Sequence, residues 1–208
     1  MIIKGIDISH WNVVKDFNQV KASGIDFVIL KAGGSDAGFY TDVQFENYYR
    51  LAKLAGLDVG AYYFAGKNFY GWKSGEADAM RFARIIKDKK FEYPVYIDIE
   101  LTSTASNMVE KATDAAIAFC RYMEDQGYFA GIYASDISGF RERLQLERLT
   151  QFSKWVARYG KKPQYVEDYA IWQKSSTGKV PGIIGNVDMD ISNTDFKKLI
   201  VNKHFNGY

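Results

Sequence analysis

Two acids stand two residues apart in Tyr93-Pro94-Val95-Tyr96-Ile97-Asp98-Ile99-Glu100. The β-branched and aromatic residues before them predict a strand, and Pro94 sits at its entry, where a missing N–H costs least. Residues i and i+2 of a strand project from one face, so Asp98 and Glu100 are expected side by side at the end of a buried strand. Unpaired acids are costly to bury. Close carboxyls push one pKa up, which leaves one proton donor and one anion. Cleavage of a glycosidic bond needs that division of labour. The spacing also allows a plainer arrangement, in which Asp98 caps the next helix and Glu100 faces solvent, because paired acids are sometimes only structural.

Elements that would position such a pair can be read along the chain. Strand patterns fall at 4–9, 26–34, 57–64, 93–100, 128–133, 154–159, 170–174 and 186–190. Helical patterns fall at 13–22, 42–55, 76–89, 108–126, 140–150 and 193–202. The first five strands alternate with helices and the last three are joined by loops. This predicts an α/β fold: a parallel, irregular eight-stranded β/α barrel of TIM-barrel type, with about five main helices and a helix-poor final third. Polar residues gather at the strand C-terminal ends: Asp7 and Ser9, Lys31, Tyr62, Asp98 and Glu100, Tyr133, Arg158, Gln173 and Asp188. Active sites of β/α barrels are built on that rim.

Composition narrows the function classes. The chain has 208 residues, which suits one domain over 1–208, with 47% hydrophobic and 25% charged residues. A net charge of +2 from 27 basic and 25 acidic residues, scattered rather than striped, argues against a nucleic-acid partner. The single cysteine, Cys120, lies in an apolar helical run and reads as a buried, inert thiol. Two distant histidines, His10 and His204, and no cysteine cluster disfavour a metal site, so neither metal nor cofactor is expected. No apolar run reaches about 18 residues, and the N-terminus lacks a secretory h-region, so no membrane partner is expected and synthesis in a cytoplasm is. Aromatics reach 16%, with 15 Tyr and 4 Trp; core packing explains most, and flat faces for pyranose rings are another use.

Seven ordered segments resemble glycoside hydrolase family 25, the lysozymes of the Chalaropsis and phage-endolysin type. They are Gly5-Ile6-Asp7-Ile8-Ser9-His10-Trp11, Gly24 to Ala32, Ala55 to Phe64, Ile97-Asp98-Ile99-Glu100, Trp155-Val156-Ala157, Ile171-Trp172-Gln173 and Val187-Asp188-Met189-Asp190. The resemblance implies an irregular β/α barrel and hydrolysis of the β-1,4 bond between N-acetylmuramic acid and N-acetylglucosamine. It implies Glu100 as general acid, Asp98 as its partner carboxylate, and Asp7 and Asp188 as the remaining acids. The last motif often ends in Asn where Asp190 stands, and Asp190 receives no role. Relatives often carry cell-wall-binding repeats; none lies within 1–208, and such a module would follow Tyr208. The implied partner is the peptidoglycan glycan strand, reached after release or export, with no protein partner required.

Within that resemblance, Asp98 is expected to stay ionised and either to assist the substrate's 2-acetamido group or to act directly as base or nucleophile. Repulsion from the other acids is expected to raise Glu100. Lys31 is expected to pair with Asp7 or with substrate; Tyr62, Tyr133 and Trp155 to wall the cleft; Gln173 to bind a hydroxyl or to serve as a core amide. Tyr40, Trp72 and Trp11 are weaker aromatic candidates on loops. His10 reads as structural or as subsite lining. Two other readings remain open: a chitinase-like hydrolase of N-acetylglucosamine polymers, and a non-catalytic cell-wall binder.

Overall fold

The structure, a computed structural model, describes residues 2–208. In order along the chain come β1 (Ile3–Ile8), β2 (Val13–Val14), α1 (Phe17–Ala22), β3 (Phe27–Gly34), β4 (Tyr40–Thr41), α2 (Phe45–Leu54) and β5 (Asp58–Phe64). Next are α3 (Gly71–Ile86), β6 (Val95–Asp98), α4 (Ser106–Asp125), β7 (Ala130–Ser135), β8 (Ser153–Ala157), β9 (Ile171–Gly178), β10 (Ile183–Ile184), β11 (Val187–Ser192) and α5 (Phe196–Asn202). Among the described residues no helix is long and apolar enough to cross a membrane.

Eight strands close a barrel in the order β1-β3-β5-β6-β7-β8-β9-β11, and β11 returns to β1. Neighbours from β1 round to β9 run parallel. The last strand corrects the all-parallel expectation, because β11 is antiparallel to both β9 and β1. The link between β9 and β11 holds only β10, which pairs with β2. A connection with no crossover helix returns the chain antiparallel.

Alternation along each strand separates two layers. Phe27 and Ile29 of β3 join an inner cluster with Tyr96, Tyr133, Trp155 and Ile171, while Val28 and Leu30 join an outer one under the helices. Two glycines make room for the inner rings. A Cβ on Gly5 would lie 2.2 Å from the Phe27 ring, and one on Gly131 would lie 2.4 Å from the Tyr96 ring. Continuing the same parity by two residues places Asp7, Lys31, Asp98 and Gln173 on the inner face above this aromatic layer.

Three helix expectations need correction. Residues 13–22 open with β2, and α1 begins only after Asp16, whose carboxylate accepts the N–H groups of Asn18 and Gln19. Residues 140–150 form no α-helix; a π turn at Asp136–Arg141 and a 3-10 turn at Leu146–Arg148 stand there. Gly139 packs against Ala134, and Arg143 donates to the carbonyls of Thr102 and Ser138, so side-chain ties replace the helical ladder. Helix α3 starts at Gly71, which moves Trp72 off a loop and onto a helix.

Candidate active site

The acidic strand ends at Asp98, so Glu100 lies in the following loop rather than on a strand face. Asp98 is 5% exposed, whereas Glu100 opens to solvent. A cavity of about 330 Å³ opens here, walled by Glu100, Tyr133, Ser138, Arg143, Arg158 and Tyr159 among others.

Electrostatics divide the two acids differently from the expectation. Burial raises Asp98 well above the usual carboxylate range, and the Glu100 charge pushes it further, against the pull of Lys31. Its Oδ1 is buried without a hydrogen-bond partner. Crowding by protein atoms also raises Glu100, but Tyr133, Lys31 and Arg143 all oppose the rise. Repulsion therefore falls on Asp98 and Asp188 rather than on Glu100. In the free protein Asp98 is the more strongly raised of the two acids. Lys31 lies 4.3 Å from the Phe64 ring centroid and 5.6 Å from that of Tyr40. Its charge acts on Asp98 and Glu100, and it forms no ion pair with Asp7 among the described residues.

Opposite this pair is a connected polar cluster. Asp7 of β1 lies directly across from Asp188 of β11. Asp188 sits at the start of its strand, not at the end; the antiparallel direction of β11 is what brings it to the common rim. Gln173 Nε2 donates to Asp7 Oδ2 at 2.8 Å and to Asp188 Oδ2 at 3.4 Å. Gln173 Oε1 accepts the hydroxyls of Tyr133 at 2.9 Å and Tyr159 at 3.2 Å. Flipping the amide would face oxygen to carboxylates, so the acids orient it. Burial, then Glu100, raise Asp188 to about 6.

The structure sorts the remaining candidates. Tyr133 walls the cavity, and Tyr62 points inward with its ring 5.9 Å from that of Trp155. Trp155 is 1% exposed and forms the floor rather than a wall. Gln173 is 2% exposed and its hydrogen bonds go to protein groups, so it is the core amide of the two alternatives. Tyr40 donates to Asp36 at 2.8 Å beside Lys31. Trp72 is not brought to this cluster: it lies on α3 against Arg121 of α4. His10 Nδ1 pairs with the buried Asp42 at 2.6 Å, a structural contact beneath the 80% exposed Trp11. Arg158 is held by Asp136 at 2.6 Å and Gln164 at 2.8 Å. Sequence reasoning missed Tyr159 and Arg143 and gave Asp190 no role. Asp190 stands at i+2 from Asp188 on β11, the spacing of Asp98 and Glu100 realised here within a strand.

Residues 6–183 match the profile of glycosyl hydrolases family 25. The chain is 30% identical over 189 residues to the autolytic lysozyme of Clostridium acetobutylicum, covering 90% of this chain and 55% of that protein, so it spans little more than half of that relative. It is 26% identical to lysozyme M1 of Streptomyces globisporus, covering 95% of this chain and 70% of that one. Among solved structures, the CTP1L endolysin superposes with a TM-score of 0.82 at 28% identity, over 96% of this chain and 70% of the other. A bacterial lysozyme from Streptomyces coelicolor gives 0.76 at 27%, over 92% of each chain. With a closed barrel, acids gathered on one rim, and a profile match over most of its length, this chain belongs to glycosyl hydrolase family 25.

Proposed function

We propose that the chain is a peptidoglycan hydrolase, an N-acetylmuramidase that cleaves the β-1,4 bond between N-acetylmuramic acid and N-acetylglucosamine, acting on the cell wall after release or export. The observation that carries this reading is Asp98 Oδ1, buried at the end of β6 with no donor, beside the solvent-open Glu100. The Asp98 carboxyl keeps a small exposure beside Glu100, and a 2-acetamido N–H that reached it would supply the donor it lacks. Once it is supplied, the Asp98 carboxylate is stabilised and the pair's proton passes to Glu100. Glu100 then protonates the glycosidic oxygen as the C1–O bond breaks. The acetamido carbonyl oxygen, oriented through its own N–H by Asp98, bonds to C1 and forms an oxazolinium, which water opens with return of the proton. Lys31 and Arg143 favour the Glu100 carboxylate left after donation. The lysozyme names of the relatives support the substrate class.

The test is incubation with purified peptidoglycan and, separately, with chitin, followed by borohydride reduction of the products. Reduced muramic acid from peptidoglycan is the expected result. New ends from chitin alone would replace this reading with the chitinase-like one, and binding without new reducing ends would leave a non-catalytic binder. A first-formed β-anomer is expected from the acetamido route; an α-anomer would exclude it.

A further inference from the structure

Asp190 takes no part in the steps above, yet it is only 1% exposed beneath them. It lies on β11, across from Gly5 of β1 and Gln173 of β9. Its Oδ1 accepts Trp155 Nε1–H at 2.8 Å. Trp155 cannot turn away, because the rings of Tyr62, Tyr96 and Tyr133 surround it at 5.9, 5.5 and 4.4 Å between centroids. The other oxygen, Oδ2, is buried and receives no N–H or hydroxyl donor. Such an oxygen is costly unless something donates to it. The carboxyl of Asp7 is the diagonal neighbour of Asp190 on the β1–β11 ladder, and both acids adjoin Gln173; each acts on the other's protonation. Two carboxylates that close cannot both stay charged, and a single proton between them satisfies both. The other titratable groups facing the pair are Asp188, Glu100 and the phenols of Tyr62, Tyr96, Tyr133 and Tyr159. No cation forms an ion pair with either acid among the described residues.

We propose that Asp190 is a positioning residue that keeps a proton on Asp7, so that Asp188 faces the sugar as the single anion of its side of the site. The Asp7 hydroxyl donates to Asp190 Oδ2, while Asp7 Oδ2 accepts Gln173 Nε2–H. Gln173 is thereby held with its oxygen toward the Tyr133 and Tyr159 hydroxyls, and the cluster has no broken link from Trp155 to the cavity wall. Losing the proton would leave two charges on diagonal positions of the β1–β11 ladder, with Asp188 directly across from Asp7. The catalytic consequence rests on the muramidase reading; the shared proton does not.

The test follows the aspartate carboxyl resonances and the Trp155 indole N–H of the isotope-labelled chain through a pH titration, in wild type and Asp190→Asn. In wild type the pair should retain one proton well above the usual carboxylate range, with the indole resonance moving as it leaves. In Asp190→Asn an amide N–H replaces the acceptor, and Asp7 should ionise lower by about one pH unit or more. The alkaline limb of kcat on peptidoglycan should move to lower pH by a similar amount, with KM little changed. Ionisation of both wild-type acids below about pH 5, a result that needs no variant to fold, would overturn the proposal. So would an Asp190→Asn rate profile superimposable on wild type. A shared proton in a chain that releases no muramic acid ends would support the pairing and remove the muramidase reading instead.

Discussion

Glu92 and Asp98 bracket one strand, are both 5% exposed, and have opposite electrostatics. Burial alone would raise Glu92, but Lys53, the Tyr208 hydroxyl and the Val59 N–H outweigh it and hold its pKa below the usual value. At the other end of the strand, Asp98 has an oxygen without a donor and is raised. Both carboxylates cost desolvation, and only one is compensated by the protein. The lower end of the barrel spends its acid on holding β5, α2 and the C-terminus together. At the upper end a donor is missing, and in the proposed mechanism the substrate supplies it. The division matches the usual one in β/α barrels, stability below and chemistry above.

The comparison can be broken at either end. The largest effect is expected at the top: Glu100→Gln should lower peptidoglycan turnover by about 10²–10⁴-fold while the melting temperature stays near wild type. A wild-type rate in that variant would sink the assignment of the acid. At the bottom, Glu92→Ala strands Lys53 and frees Tyr208, and should cost about 3 kcal/mol in denaturant unfolding, with kcat per folded molecule unchanged. A loss of kcat without a loss of stability would contradict the division.

Asp98→Asn sharpens the contrast through pH. The folded-state pKa of Asp98 lies above its unfolded value, so the folded protein keeps a proton that the unfolded chain releases. Stability is then lost as pH rises from the unfolded pKa toward the folded one, and Asn escapes that loss. The variant should be slower, yet its stability relative to wild type should grow as pH rises above about 4. Thermal unfolding across that range checks the sign; a relative stability that falls with pH would be the wrong one. For Glu92, whose folded pKa is lowered, the contribution is present above its unfolded pKa and is lost as pH falls. The smallest effect belongs to the exposed Lys197–Asp58 pair at 2.7 Å, with Lys197 60% exposed. Lys197→Ala should cost less than about 1 kcal/mol, and less still in high salt.

Much of this arrangement is written in local patterns. A two-residue period and flanking glycines are properties of a short segment, so the eight strands, the acids at the end of β6 and the gathering of Asp7, Lys31, Tyr62, Tyr133 and Gln173 on one rim can all be read from residue order. The direction of β11 cannot, because it depends on how a helix-free connection closes the barrel. Nor can the partners that give each side chain its role: Asp7 and Gln173 meet across 166 residues of chain. Asp136 looks like any turn acid until the N–H groups of Gln164, Tyr165 and Val166 converge on it. Trp155 reads as a cleft wall and Gln173 as either a hydroxyl binder or a core amide; closure of the barrel makes one its floor and the other the hub of a buried cluster. Sequence determined which residues share a face; only tertiary closure decided which of them remain without a partner, because burial and hydrogen-bond satisfaction are settled by neighbours far away in the chain.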